Sequence, residues 1–256
     1  MQDLPYRFTG AILPVLILPG DTYMKRLMIA AALLATSLPA MASNPKPLTL
    51  GEQFIVRAYA GQVEGLALSQ VIKAKSLGIA VNDSTICVAL AGAMAGEFVA
   101  NNKAEGMKNT SEAPTPRLAM VAFNKPDSAE MAAKEFKNKE AVALVFGGQI
   151  DDLTNALNVK MLLASLAKEQ YEGALFLHLT VFGKKWVEQA AKEDASIATW
   201  LAGKDNIYAL GVNAKEKKGM VLKVGYPEGK QTVTGTAYTA DLNNGFINLF
   251  NRRLAK

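Results

Sequence analysis

Apolar runs of strand length alternate with helical patterns from residue 118 to the end of the chain. The predicted strands are 118–123, 141–146, 174–182, 207–212, 220–224 and 232–238. The predicted helices are 127–139, 151–170, 185–201 and one that starts near Asp241. Alternation of this kind builds a sheet that is at least partly parallel and covered by helices on both faces. We therefore predict an α/β fold with a mixed sheet.

A small helical region is expected before this α/β part. Thr49 and Glu52 have the spacing of a capping box, and the apolar periodicity that follows indicates a helix that ends near Gly78. A second helix begins after Asp83 and carries small residues spaced for close helix contact, namely Ala89, Gly92, Ala93 and Gly96. The predicted organisation is an amino-terminal extension and leader at 1–42, a helical region at 43–100, a linker at 101–116 and an α/β domain at 117–256.

The leader has the three parts of a secretory signal peptide. Lys25 and Arg26 precede an apolar stretch at 27–38, and a small-residue cleavage site lies at 40–42. The apolar stretch is shorter than the roughly 20 residues that a membrane helix needs. We expect translation from Met24, cleavage before Ser43 and a periplasmic mature protein without a membrane span. A membrane hairpin formed by residues 1–23 is the alternative.

The chain has one cysteine and one histidine. These counts exclude a disulfide framework, a cysteine-rich zinc site and a histidine-rich metal centre. Cys87 lies in an apolar run and is predicted to be a small buried hydrophobe. We expect no metal and no cofactor.

The order of elements, with its closing hairpin and terminal helix, resembles the thioredoxin fold. The chain departs from that pattern by one extra strand before the final helix and by the lack of a proline at the start of 207–212. The only cysteine lies upstream of the domain. The resemblance therefore implies a thioredoxin-like protein without disulfide oxidoreductase activity.

Residues 141–157 read AVALVFGGQIDDLTNAL. This strand, glycine turn and helix start are similar to those of TrbC-type proteins, which assist conjugative pilus assembly in the periplasm. The similarity covers fewer than forty residues and includes no catalytic motif. It implies a role in protein assembly.

Gly147 and Gly148 lie where a strand meets a helix amino terminus, a position that often holds phosphate groups. Asp151 and Asp152 follow at once, and they would repel an anion and cap the helix instead. The chain has neither a dinucleotide-binding nor a P-loop glycine motif. We therefore do not expect nucleotide binding.

His178 is the candidate for a catalytic residue. It lies in a predicted strand whose two faces are both rich in apolar residues, so the imidazole should be partly buried and hydrogen-bonded. A structural role is favoured, because general-base catalysis needs a nucleophile and an orienting carboxylate nearby. A periplasmic hydrolase that uses His178 with a serine or threonine is the alternative.

Positive charge is concentrated at the carboxyl-terminal end of the chain. Residues 43–202 contain 16 Lys and Arg against 17 Asp and Glu, whereas residues 203–256 contain 9 against 4. The candidate binding residues are Lys215, Lys217, Lys218, Lys223, Lys230, Arg252 and Arg253. Such a patch attracts anionic partners such as lipid headgroups, lipopolysaccharide, a cell-wall polymer or an acidic protein. The alternative is that these lysines only maintain solubility.

These features together predict an exported, non-catalytic binding or assembly protein. Its partner would be an envelope protein complex or an anionic envelope component, and export makes nucleic acid a poor partner. A carrier of a small apolar ligand is a further alternative, which requires a cavity beside the sheet.

Overall fold

The computed structural model describes residues 46–102, 117–125 and 127–254. The predicted signal peptide lies outside these residues, as does the predicted linker apart from Asn101 and Asn102. The helices are α1 (Leu50–Leu66), α2 (Thr85–Asn101), α3 (Ser128–Phe136), α4 (Asp152–Lys168), α5 (Leu179–Gly183), α6 (Trp186–Glu193), α7 (Ala195–Ala202) and α8 (Asn244–Leu254). The strands are β1 (Leu77–Asn82), β2 (Leu118–Phe123), β3 (Ala141–Val145), β4 (Ala174–Leu177), β5 (Ile207–Asn213), β6 (Lys218–Gly225) and β7 (Thr232–Asp241).

The strands form one mixed sheet of seven in the order β2-β1-β3-β4-β5-β6-β7. The first five strands are parallel, and β6 and β7 continue the sheet as antiparallel strands. Helices α3, α4, α6 and α7 cover one face of the sheet, while α1 and α2 cover the other. The predicted fold class is therefore confirmed. Among the described residues, no helix is both long enough and apolar enough to cross a membrane.

The prediction that residues 43–100 form a separate helical region is wrong, because Leu77–Asn82 is a strand, the second in the order of the seven-stranded sheet. It pairs with β2 on one side and β3 on the other, and all six of its residues are buried. A strand buried on both faces shows no polar alternation, so its sequence cannot be told from a helix by periodicity. The described residues accordingly form one compact unit.

Two further boundaries differ from the sequence prediction. The strand predicted at 174–182 ends at Leu177, and the chain turns at His178 into the short helix α5. The helix predicted at 185–201 is divided into α6 and α7, because the Asp194 side chain accepts hydrogen bonds from the backbone N–H groups of Ser196 and Ile197. Asp194 thus caps a new helix.

The first helix begins as predicted, since Thr49 and Glu52 form a capping box. Helices α1 and α2 also pack closely, but the glycines responsible lie on α1. A Cβ atom added to Gly61 would lie 2.3 Å from the carbonyl oxygen of Leu90. A Cβ atom added to Gly65 would lie 2.4 Å from the carbonyl oxygen of Met94. Gly92 and Gly96, which were expected to make this contact, face open space.

Candidate functional site

The candidate site lies at the carboxyl edge of the parallel strands, where β1, β3, β4 and β5 all end. Strand β1 lies between β2 and β3. The chain therefore passes from β1 to its neighbour on one side, β2, and then crosses to its neighbour on the other side, β3. Sheets with this strand order bind ligands at such a switch point, outside the carboxyl ends of the strands. The residues that follow β1 and β3 therefore take the position of a binding site.

A glycine loop follows β3 at this point. Gly147 and Gly148 have φ angles of +132° and +74°, which side-chain-bearing residues rarely adopt. A Cβ atom at Gly148 would lie 2.5 Å from the Ser84 hydroxyl oxygen and 2.9 Å from the Cys87 sulfur. The loop backbone is thus held directly against the start of α2, and the Gln149 N–H donates a hydrogen bond to the Ser84 hydroxyl oxygen (3.3 Å).

Two buried asparagines fix the conformation of the glycine loop. Asn82 Nδ2 donates to the Gly147 carbonyl oxygen (2.7 Å) and to Asn155 Oδ1 (2.8 Å). Asn155 Oδ1 also accepts from the Gly147 N–H (3.0 Å). Asn155 Nδ2 donates to the carbonyl oxygens of Ile150 and Asp151. This network was not predicted, because the two asparagines come together only in the folded chain.

The loop leads into α4 through the predicted helix cap. The Thr154 N–H donates to Asp151 Oδ1 at 2.8 Å, and the Thr154 hydroxyl donates to Asp151 Oδ2 at 2.7 Å. These hydrogen bonds lower the pKa of Asp151. Asp151 thus satisfies the helix terminus that a phosphate would otherwise occupy, as expected from the sequence.

A buried charged cluster lies at the end of β4, around His178. His178 Nδ1 is 2.5 Å from Glu64 Oε1, and His178 Nε2 is 2.9 Å from Arg57 Nη1. All three side chains are buried. Arg57 and Glu64 lie seven residues apart on α1, two helical turns, and therefore on the same face of that helix.

The geometry determines which nitrogen of His178 carries the proton. A guanidinium group only donates hydrogen bonds, so Nε2 must accept from Arg57. The ring proton therefore lies on Nδ1, which donates to Glu64. His178 is a neutral imidazole between a buried cation and a buried anion, and both of its nitrogens are engaged. This arrangement opposes a general-base role, because Nε2 has no lone pair available for a nucleophile's proton.

The seven predicted basic binding residues do not form one patch. Lys215 and Lys217 lie in the turn between β5 and β6, and Lys218 begins β6, all at the carboxyl edge. Lys217 Nζ donates to Asn244 Oδ1 (2.9 Å), and Lys218 Nζ forms an ion pair with Asp241 (2.6 Å). Lys223 and Lys230 are exposed but lie toward the opposite, amino edge, because β6 runs antiparallel to β5.

Arg252 links the two ends of the described chain. Its guanidinium group contacts both carboxylate oxygens of Glu52 at 2.5 and 3.0 Å and donates to the carbonyl oxygens of Lys46 and Pro47. The hydrogen bond from Arg252 lowers the pKa of Glu52 to about 2. The Arg252 side chain therefore makes contacts within the protein. Arg253 follows it in α8.

Cys87 is 1% exposed, which confirms the prediction of a small buried hydrophobe. Among the described residues, no group of three or more His, Cys, Asp and Glu side chains is arranged to hold a metal ion.

An open cleft of about 620 Å³ lies at the amino edge of the sheet. Its lining includes five charged residues and a tyrosine, namely Lys137, Lys139, Glu140, Glu169, Glu172 and Tyr208. A carrier of an apolar ligand needs a predominantly apolar cavity, and the charges lining this cleft do not fit that alternative.

Comparisons with known proteins identify a family but not a function. A family model described only as "Uncharacterized protein" matches residues 53–249, so the chain belongs to that family. No curated protein matches the chain. A solved structure, the extracellular ligand-binding receptor from Verminephrobacter eiseniae ef01-2, is similar with a TM-score of 0.39 and 14% identity over 75% of this chain. The match spans 49% of that receptor's length.

Proposed function

We propose that this member of an uncharacterized protein family is an exported, non-catalytic binding protein whose binding face is the carboxyl edge of the sheet. The observation that supports the proposal is the glycine loop at the switch point, held by Asn82 and Asn155. Binding sites of doubly wound sheets occupy this position.

The chemistry available at this edge favours binding over catalysis. The only histidine of the chain is buried with both nitrogens engaged. The exposed groups at this edge include Lys215 and Lys217 of the β5–β6 turn, which outnumber the one carboxylate between them, Glu216. Their positive charge favours an anionic envelope component or an acidic protein as the partner. In its more specific form, the proposal takes the partner to be an assembling protein complex, as the resemblance to TrbC-type proteins implies.

The experiment is a crosslinking pull-down from envelope extract with the mature protein, at low and high salt. The variant Lys215→Glu/Lys217→Glu reverses two charges at the carboxyl edge. Its matched control, Lys223→Glu/Lys230→Glu, makes the same change of net charge toward the amino edge. We expect the first variant to lose the captured partner and the control to retain it.

Salt should reduce capture by the unmodified protein, because association through surface charge is screened. Equal capture by both variants would show that the carboxyl-edge lysines take no part in binding. Loss in the control alone would move the binding face to the other edge of the sheet.

A further inference from the structure

The cleft at the amino edge of the sheet has the size of a small-molecule site. Its volume of about 620 Å³ lies within the range of roughly 300 to 1,000 Å³ that such sites occupy. Its lining comes largely from the segments that follow α3 and α4 and that lead into β4 and β5. The cleft lies on the opposite edge of the sheet from the proposed binding face, and its ligand is independent of that proposal.

Both lysines of the lining are engaged within the chain. Lys137 Nζ forms an ion pair with Glu169 Oε2 at 3.0 Å. Lys139 is only 6% exposed and is likewise not without a partner. An anionic ligand would have to compete with these contacts and would also meet the carboxylates of Glu140, Glu169 and Glu172. The lining therefore does not favour an anion.

The glutamates of the lining do not favour a cation either. Glu140 Oε2 accepts a hydrogen bond from the Lys75 N–H at 2.8 Å. Burial lowers the pKa of Lys204, and the carboxylate of Glu172 opposes this shift, so Glu172 has a cation nearby. A cationic ligand would therefore meet the two lysines of the lining and find its counter-charges already engaged.

An uncharged, hydrogen-bonding ligand meets neither obstacle. Three amide side chains, those of Asn138, Gln170 and Asn206, belong to the same lining. An amide carries donors and an acceptor, so it pairs well with a hydroxyl group, which also donates and accepts. Asn138 and Gln170 are exposed and thus accessible to a ligand. The lining therefore favours a molecule with several neighbouring hydroxyl groups.

Asn206 has a hydrogen-bond acceptor that the described residues leave unused. Its Nδ2 donates to the Glu172 carbonyl oxygen at 2.9 Å, which fixes the orientation of the amide. Its Oδ1 is buried and accepts no hydrogen bond from the described residues. A buried acceptor without a donor keeps the cost of its desolvation, so a ligand hydroxyl that donates to Oδ1 is favoured.

We propose that the amino-edge cleft binds a neutral ring-shaped molecule with neighbouring hydroxyl groups, that is, a carbohydrate or a cyclic polyol. The hydroxyl groups pair with the amides of Asn138, Gln170 and Asn206. Tyr208 belongs to the same lining and supplies aromatic surface, against which the C–H groups of a sugar ring pack. Because the cleft is open to solvent, the ligand keeps part of its hydration and binds at millimolar concentration.

Titration of the nitrogen-labelled protein, followed by its amide NMR signals, tests the proposal. The neutral probes are maltotriose, a glucose trisaccharide, and myo-inositol, a cyclic polyol. Spermidine and citrate are the cationic and anionic comparisons. We expect saturable shifts of the cleft signals with at least one neutral probe and none with the charged probes.

The two neutral probes distinguish the sources of the ligand. Tighter binding of maltotriose supports a glycan, and tighter binding of myo-inositol supports a free polyol. The proposal is overturned if neither neutral probe gives saturable shifts in the cleft, or if a charged probe saturates there.

A double variant removes the two exposed amides. Asn138→Ala/Gln170→Gly leaves the charges of the lining in place, and glycine suits position 170, where φ is +52°. We expect the dissociation constant of the neutral probe to rise about tenfold, the equivalent of two hydrogen bonds. Gln62→Ala/Asn124→Ala is the matched control, because it removes two exposed amides outside the lining. Equal affinity of the two double variants overturns the proposal.

The side-chain NMR signals of Asn206 test the unused acceptor without a substitution. A hydroxyl group that donates to Oδ1 changes the shifts of the Nδ2 protons on the same amide. We expect these signals to move together with the backbone signals of the cleft as the neutral probe is added. Side-chain signals that stay fixed while the rest of the cleft responds would overturn the proposed recognition by the amides.

Discussion

The two edges of the sheet are built differently. At the carboxyl edge, charged and amide side chains are buried and hydrogen-bonded to one another, as in the Glu64–His178–Arg57 cluster. At the amino edge, the chain opens into a cleft with exposed ion pairs such as Lys137–Glu169. A buried polar group that loses its partner keeps the full cost of its desolvation, whereas an exposed one regains water. The carboxyl edge should therefore be much more sensitive to substitution.

The largest difference in stability is expected between the removal of a buried carboxylate at the carboxyl edge and the removal of an exposed one at the amino edge. Glu64→Gln removes the negative charge beside His178 and Arg57 while keeping the side-chain shape. We expect a loss of about 3 kcal/mol in the free energy of unfolding, because a buried cationic group loses a counter-charge. Urea denaturation measures this loss. Glu169→Gln at the amino edge is the matched control and should change little, so similar losses at both sites would contradict the comparison.

The proton position on His178 can be measured in the unmodified protein. The chain has a single histidine, so nitrogen NMR of a histidine-labelled sample gives unambiguous signals. We expect a neutral ring with the proton on Nδ1, as the donor-only guanidinium of Arg57 requires. A proton on Nε2 would show that Arg57 does not donate to this ring.

The second-largest loss of stability is expected for a substitution in the glycine loop. Gly148→Ala introduces a Cβ at a φ of +74° and within 2.5 Å of the Ser84 hydroxyl oxygen. We expect a loss of about 2 kcal/mol in the free energy of unfolding. Gly96→Ala is the control, since it lies in α2 with open space around it and should be neutral or stabilising by up to about 1 kcal/mol. Thermal denaturation of both variants distinguishes backbone strain from a general effect of the substitution.

Much of the fold could be predicted because its signals are local. The alternation of elements from Leu118, the Thr49–Glu52 capping box and the Asp151 cap each depend on residues close in sequence. Strand β1 was missed because burial on both faces removed the alternation that marks a strand. The thioredoxin and TrbC resemblances stay predictions.

The candidate site was only partly predictable, because its contacts join distant parts of the chain. His178 was identified and its burial expected, but its partner Glu64 lies 114 residues away. Asn82 and Asn155 are 73 residues apart, and neither belongs to a motif. Spacing along the chain carries no signal for such pairs, since only the packing of α1 and α4 on the sheet brings them together.

A smaller effect is expected where Arg252 joins Glu52 near the start of α1. The pKa of Glu52 is lowered from 4.5 to about 2 in the folded protein. A carboxylate with a lowered folded-state pKa stabilises the fold above its unfolded pKa, and this contribution is lost as the pH falls from about 4.5 toward 2. Arg252→Met should therefore cost about 1 kcal/mol at neutral pH and clearly less near pH 2, where only the hydrogen bonds to the carbonyl oxygens of Lys46 and Pro47 are still lost. Urea denaturation of both proteins at a series of pH values measures the loss in the free energy of unfolding. A loss that does not depend on pH would show that it comes from packing and not from the Glu52 carboxylate.

The smallest effect is expected for Lys137→Met at the amino edge. The ion pair with Glu169 has a nitrogen–oxygen distance of 3.0 Å, but the Lys137 side chain is 57% exposed. The hydrogen bond from Lys137 lowers the pKa of Glu169, so the contribution of the pair is present at neutral pH and lost in acid. Because solvent and salt screen this pair, we expect the denaturation midpoints of the variant and the unmodified protein to coincide at high salt and to differ only slightly at low salt. A salt-independent loss as large as that of Glu64→Gln would remove the difference between the two edges, since it would mean that the cleft is as tightly organised as the buried cluster opposite it.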